Sequence, residues 1–267
     1  MKIAVCIKQV PTREWQPRLD DAKTWIREQD ASYEMNEPDA YALEAALRLR
    51  EAHGGEVVVC SAGPPRVQQV IREALARGAD RAVHVEDEML AAADAGMVAE
   101  ALAAAMVEER FDLVLTGLQS DDQGHGQTGV ILGERLGMPH STIIMEVEVH
   151  ASSTEVGEGA HALARPSVRV KRELEGGWFQ WVTMPLPALL TIQSGINQLR
   201  YATLKGIMGA KKKEIRRVPM PAGIQPSQQV VSLAVPVRSK ETRILDGSPA
   251  DTARELIRLL RDEARVL

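Results

Sequence analysis

Aromatic residues are scarce. Phe, Trp and Tyr make up 3% of the 267 positions, so recognition by ring stacking would rest on few side chains. Only two cysteines occur, Cys6 and Cys60, both inside apolar runs. They are too few for a disulfide framework or a thiolate metal site, and they read as small buried hydrophobes. No run of about 18 uncharged apolar residues is present, so no membrane insertion is expected. The formal net charge of −5 lacks the basic excess of a nucleic-acid binder. The opening run, MKIAVCIKQV, carries Lys8 and no small-residue cleavage site. It reads as a first strand rather than a secretory signal, and a cytoplasmic protein is expected. Several nucleotide and nucleophile signatures are also missing. There is no G-x-x-x-x-G-K-[ST] loop, no G-x-G-x-x-G after the first strand and no G-x-S-x-G elbow.

What is present is an alternation. Residues 2–10 read as a buried strand and 39–52 as an amphipathic helix, with Leu43, Ala46 and Leu47 on one face and Glu44 one turn before Arg48. GGEVVVCSAGPP is a second strand bracketed by turn residues, followed by a helix over 65–77 closed by Gly78. RAVHVE, a long alanine-rich helix over 91–109, FDLVLTG and a helix over 127–136 continue the pattern. Strands alternating with helices imply an α/β fold with a parallel sheet, and continuous apolar runs suit strands buried on both faces. After about residue 140 the pattern changes. IIMEVEVHA and SVRVKRELEGGWFQWVTM alternate with period two around an EGG turn, which predicts a β-hairpin addition. Within it Trp178, Phe179 and Trp181 read as packing residues. The insert at 151–166 reads as a mobile loop, and PALLTIQ as another buried strand. Residues 194–245 show no sustained periodicity. The chain ends in a helix with Ser248 as cap, Pro249 at its first position and Asp251 near its positive end. Its apolar stripe is Ala253, Leu256, Ile257, Leu260 and Ala264. The expected division is a nucleotide-binding domain over 1–193 and a docking arm over 194–267.

Ligands bind parallel sheets beyond the carboxyl ends of the strands. Three segments fall there: KQVPT, SAGPP and GLQSDDQGHGQTG, residues 117–129. In the last, glycines let backbone N–H groups approach an oxyanion, and a helix starting near Gln127 offers unpaired donors at its positive end. An anion-binding loop is the reading these features favour. The alternatives are metal ligation by Asp121, Asp122 and His125, general-base chemistry at His125, and an ordinary solvated loop.

Five stretches together resemble the β subunits of electron-transfer flavoproteins. They are MNEPDAYALEAALRLRE, SAGPPRVQQVIREALARGADRAVHV, GLQSDDQGHGQTG, VRVKRELEGGWFQWVTMPLPALLT and NQLRYATLKGIMGAKKKEI. They occur in the family's order, and the resemblance covers residues 1 to about 217. It implies a parallel sheet of the adenine-nucleotide-binding, α-hydrolase-like type with a hairpin addition and an extended C-terminal arm. It also implies a heterodimer in which an α subunit holds most of the FAD and the β subunit binds one AMP. The partners implied are donor dehydrogenases and an acceptor oxidoreductase such as a quinone reductase. The subunit would be an electron carrier with no catalytic residue and no metal.

Carried over by position, the AMP site would comprise Cys6, Asn36, Glu37, Pro38, Asp39, Ala62, and the loop Gly117, Leu118, Gln119, Ser120, Asp121, Asp122, Gln123, Gly124, His125, Gly126, Gln127 and Thr128. Gly126, Gln127 and Thr128 would meet the phosphate. Electron-bifurcating relatives carry a second FAD there, with a loop reading Asp-Gly-Asp-Thr-Ala-Gln-Val-Gly. This chain keeps Gln-Thr-Gly and lacks that core, although it also lacks the Asn many AMP binders place at Gly126. SGINQLRYATLKGI resembles the family's partner-recognition loop, with Ile196 as the expected anchor and Asn197, Arg200 and Tyr201 beside it. Lys211 to Lys213 read as a solvated basic face. From other classes, a stand-alone adenine-nucleotide enzyme would need a Ser-Gly-Gly-x-Asp-Ser loop after strand one, which is absent. A lone nucleotide sensor would lack a flavin-binding partner.

Overall fold

The computed structural model describes residues 1–150, 166–236 and 242–267. The predicted insert at 151–166 lies outside these except for its last residue. Two compact units emerge, Met1–Leu233 and Ala234–Leu267.

The first unit opens with β1 (Lys2–Cys6), β2 (Gln9–Pro11), β3 (Tyr33–Met35) and α1 (Glu37–His53). There follow β4 (Glu56–Gly63), α2 (Gln68–Arg77), β5 (Arg81–Glu86) and α3 (Ala95–Met106). Next come β6 (Leu113–Gly117), α4 (Thr128–Arg135), β7 (His140–His150), β8 (Ser167–Glu173), β9 (Phe179–Pro185) and β10 (Ala188–Ile192). The unit closes with α5 (Leu204–Ala210) and β11 (Ile215–Pro219). Among the described residues the main sheet has nine strands in the order β11-β5-β4-β1-β6-β10-β7-β8-β9. It is parallel from β11 to β7, and β8 and β9 add antiparallel strands. The predicted α/β class and the hairpin are both present. The run read as one strand over 2–10 divides, because β2 leaves the sheet to pair antiparallel with β3.

Period-two placement explains the apolar runs. Ile3 and Val5 of β1, Val57 and Val59 of β4, and Leu113 and Leu115 of β6 face one layer. Their neighbours Ala4, Cys6, Val58, Cys60 and Val114 face the other. Helices cover both faces, so each strand is apolar throughout. Cys6 and Cys60 are register neighbours, free and buried, as small hydrophobes should be.

Residues 194–233 are more regular than their sequence suggests. β11 pairs in parallel with β5, completing an edge from a segment more than a hundred positions away. Lys213, expected on a solvated face, instead sends its ammonium to the carbonyls of Leu75 and Ala79 at the end of α2. The hairpin aromatics also depart from expectation. Trp178 is 75% exposed, and Phe179 and Trp181 lie on the outer face under Lys171 and Arg169 at 4.5 and 4.1 Å. Among the described residues β9 is the edge strand of the sheet, paired with β8 alone.

At the amino ends of the strands, Glu109 accepts from Lys2 at 2.7 Å, Arg81 at 2.7 Å and Arg216 at 3.0 Å. Hydrogen bonding from Arg81 leads the causes that bring its carboxyl down to about 2. A depressed carboxyl stabilises the fold above its ordinary value and loses that contribution as pH falls through the folded value. Glu109→Gln should therefore cost about 1–2 kcal/mol at pH 7, after allowance for solvent screening. In urea titrations the deficit should shrink between pH 4.5 and about 2. A pH-independent deficit would assign the loss to packing instead.

In the second unit α6 (Pro249–Asp262) is capped as expected, Ser248 Oγ accepting from Asp251 N at 3.3 Å. None of its residues is buried, and Leu256 and Ile257 are about half exposed.

Candidate functional site

β1 has β4 on one side and β6 on the other, so the chain winds away from it in both directions. A crevice opens at this switch point, beyond the carboxyl ends of the strands. About 1170 Å³ of open space lies along it, the solvent at its mouth included. All three segments that the sequence places at strand ends contribute: Lys8, Gln9 and Pro11, then Ala62, Gly63 and Pro64, then most of the loop after β6. Of the residues singled out from sequence, Cys6, Asn36, Asp39, Ala62, Gly117, Leu118, Gln119, Ser120, Asp122, Gln123, His125, Gly126, Gln127 and Thr128 line it. Glu37, Pro38, Asp121 and Gly124 do not. Pro38 is buried beneath it, and Glu37 and Asp121 meet Arg13 at its rim.

Two side chains at the start of α1 abandon their usual helix duties. Asn36 stands at the N-cap position and makes no side-chain cap. It reaches across to the loop instead, donating from Nδ2 to Gln119 O at 3.0 Å and accepting from Asp121 N at Oδ1, 2.9 Å. Asp39 turns inward. Its Oδ2 accepts from Lys8 N at 2.7 Å and its Oδ1 from Gly117 N at 2.9 Å, so one carboxyl joins the ends of β1 and β6 across the switch point. Burial drives the Asp39 carboxyl up to about 7, against the pull of these donors and of Asn36 and Lys8. A carboxyl so placed is a strut. Both oxygens are spent on backbone donors.

Lys8 carries the second tie. Its ammonium donates to Asp122 at 2.7 Å, Gln123 at 3.1 Å and Ser120 at 3.3 Å. Burial acts to raise the Asp122 carboxyl, but the Lys8 charge and local hydrogen bonds outweigh it and hold it below its ordinary value. The first half of the loop is thus fixed by side chains from elsewhere. The second half is fixed by backbone, with Gly126 at φ +63°, a conformation costly to any residue with a Cβ. α4 follows at once. Among the described residues no acceptor pairs with the N–H groups of Gly126, Gln127, Thr128 or Gly129. Unspent donors at a helix start are suited to an anion. The metal reading has no geometric support, because Asp121 and Asp122 already hold Arg13 and Lys8. No group of three candidate ligands is assembled among the described residues.

Residues 23–222 match the electron transfer flavoprotein domain family. The chain is 32% identical over 273 residues to "Electron transfer flavoprotein subunit beta" of Methylophilus methylotrophus, spanning 98% of each. It is 31% identical over 275 residues to the protein of that name from Bacillus subtilis, spanning 100% of each, and 31% over 270 residues to that of Homo sapiens, spanning 100% and 99%. The chain belongs to the electron transfer flavoprotein β-subunit family. Membership agrees with the observed α/β architecture. Among the described residues no helix is long and apolar enough to cross a membrane.

The stretch expected to recognise partners does not line the crevice. Ile196 is half-buried and packed on the main core. Asn197 Nδ2 donates to Tyr41 O at 3.1 Å, and Arg200 pairs with Glu44 at 2.7 Å and Glu51 at 2.6 Å. These three residues bind the segment to α1. Tyr201 is 92% exposed, and the following turn presents Leu204 at 82% and Met208 at 72%. Leu204, which no sequence pattern singles out, is exposed as a docking anchor would be. Trp25, Tyr33, Arg66, Leu90 and Val98, likewise without a sequence signal, form part of the crevice wall. The β2–β3 pairing brings Trp25 and Tyr33 there, and no local pattern announces it.

Proposed function

We propose that this chain is the β subunit of a heterodimeric electron transfer flavoprotein in the cytoplasm. It holds one AMP in the crevice and completes an FAD site at its junction with an α subunit. Donor dehydrogenases dock on it, and electrons pass on to a quinone reductase or another acceptor. The carrying observation is the set of N–H groups from Gly126 to Gly129 at the start of α4, unspent among the described residues and opening onto the crevice at the switch point. Gly126, Gln127 and Thr128 take the phosphate, and Cys6, Ala62 and the α3 side of the crevice, with Leu90 and Val98, take the less polar base. The bound flavin supplies the electron chemistry. This chain contributes no catalytic side chain and acts by positioning and docking. Its role in docking is supported by the apolar group Tyr201, Leu204 and Met208, isolated on the surface beside Lys205, Lys211 and Lys212. The C-terminal unit with α6 serves as the arm that packs on the α subunit.

Extraction of the purified heterodimer should release about one AMP and one FAD, the ratio implied by the family resemblance. Two FADs and no AMP would reject the AMP reading in favour of a bifurcating complex. Gly126→Val should lower AMP content and heterodimer yield together, since a β-branched residue at positive φ is strained and blocks close approach to the loop backbone.

A further inference from the structure

The crevice wall draws on elements far apart in the sequence. Ala93, Ala95 and Val98 come from the start of α3, and Trp25 and Ile26 from the connection between β2 and β3. Asp94 stands between the first two. Its Oδ1 accepts from Met97 N at 2.7 Å and caps α3. Its Oδ2 accepts from Ser227 N and from Gln228 N, the latter at 2.6 Å. Just before these residues, Met220 and Ile224 pack on the cluster of Leu90 and Met97. Further on, Leu233 N donates to Lys23 O at 2.7 Å. Lys23 N donates to Asp20 O at 3.1 Å and Asp20 N to Trp25 O at 2.8 Å, so Lys23 and Trp25 belong to one compact turn. Val230 and Val231, between the two ties, are exposed. We propose that Asp94 is a positioning residue that holds residues 227–233 as a strap between the α3 part of the crevice wall and the Trp25 part, and so slows release of the bound nucleotide.

This role rests on the nucleotide reading of the crevice and adds a retention device to it. The strap does not itself line the crevice. It acts by limiting how far two parts of the wall can separate, because a chain of fixed length can extend only by the slack between its tie points. Both ties are made by backbone N–H groups, so they depend little on the side chains of the strap. At the α3 end the acceptor is a carboxylate, and charge-assisted bonds are the stronger kind. Burial acts to raise the Asp94 carboxyl, but hydrogen bonds from Met97, Gln228, Ser227 and Gly96 outweigh it and hold it below its ordinary value. The acceptor is therefore charged at neutral pH. The C-terminal unit begins at Ala234, directly after the second tie, so retention is measured on the heterodimer rather than on this chain alone.

The test loads the heterodimer with radiolabelled AMP, chases with excess unlabelled AMP and follows the label that stays bound. Asp94→Ser keeps a side-chain cap for α3 but is too short to hold Ser227 and Gln228 as well. It should speed release by about tenfold, the order expected from losing charge-assisted hydrogen bonds in an exposed segment. Melting temperature and FAD content should stay near wild type. Asp94→Asn keeps the shape but presents an amide nitrogen where the strap needs an acceptor, and it should move the rate the same way. Leu233→Pro removes the donor at the far end without touching α3, and should speed release by about threefold. Wild-type release in all three variants would overturn the strap while leaving the nucleotide site standing. Faster release in the Asp94 variants with a wild-type rate in Leu233→Pro would assign the effect to the start of α3 and would also overturn it. Failure of wild type to hold any label would overturn the nucleotide reading and the strap together.

Discussion

Gly117→Ala should be among the most damaging single-methyl additions in the molecule. A Cβ there would lie 2.7 Å from Pro38 Cβ and 2.8 Å from Asp39 N, and closer still to Asp39 Oδ1. These are backbone and buried groups at the start of α1, with no room to retreat. Relief requires either displacing α1 or breaking the Asp39 contacts to Lys8 N and Gly117 N. Overpacking costs ~1–3 kcal/mol, and a buried donor left unpaired costs a further ~1–3 kcal/mol. The expected loss is about 3 kcal/mol or more, a fall of roughly 6–12 °C in melting temperature at this chain length. Asp39→Asn should reproduce part of it, because an amide offers one acceptor where two backbone donors need two. Nucleotide content should fall in both variants. A Gly117→Ala protein with wild-type melting and wild-type nucleotide content would show that the strut does not hold the crevice.

Ile196→Ala and Leu204→Ala should separate stability from docking. Ile196 packs on the core beneath a segment stitched to α1, so its truncation should cost about 1–3 kcal/mol, less than the ~2–5 kcal/mol of a fully buried aliphatic. Dehydrogenase kinetics, per folded heterodimer, should be near normal. Leu204 is 82% exposed and its removal should hardly change the melting temperature. If it fills a pocket on a partner, its loss should slow electron transfer from the physiological dehydrogenase by roughly tenfold or more, since ~1.4 kcal/mol is one decade and anchor residues often exceed that. AMP and FAD content should stay constant. The opposite pattern, with slow transfer and normal melting for Ile196→Ala alone, would make Ile196 the anchor.

Much of this molecule is set by local sequence. Apolar runs such as IAVC, VVVC and LVLT can be satisfied only where both faces are covered, and they became the central parallel strands. The period-two runs around EGG became β8 and β9, and Ser248 with Pro249 started α6 where a cap and a pre-set φ belong. The glycines of residues 117–129 marked a strand-to-helix loop, because close backbone approach and positive φ are properties of single residues.

Tertiary structure decided everything that depended on distance between remote segments. Asp39 reads as an acidic residue favouring a helix start, and only the proximity of the β1 and β6 ends makes it a strut. Lys8 and Asp122 are 114 positions apart, so their pairing follows from the strand order and from no local pattern. IRRVP carries too few apolar residues to announce a strand; β5 supplies the ladder that makes it one. Trp178 and Ile196 show the remaining limit. Periodicity records which residues share a face, but whether that face is covered depends on what packs against it. An apolar side chain is therefore half-buried against the core at Ile196 and left on the surface at Trp178.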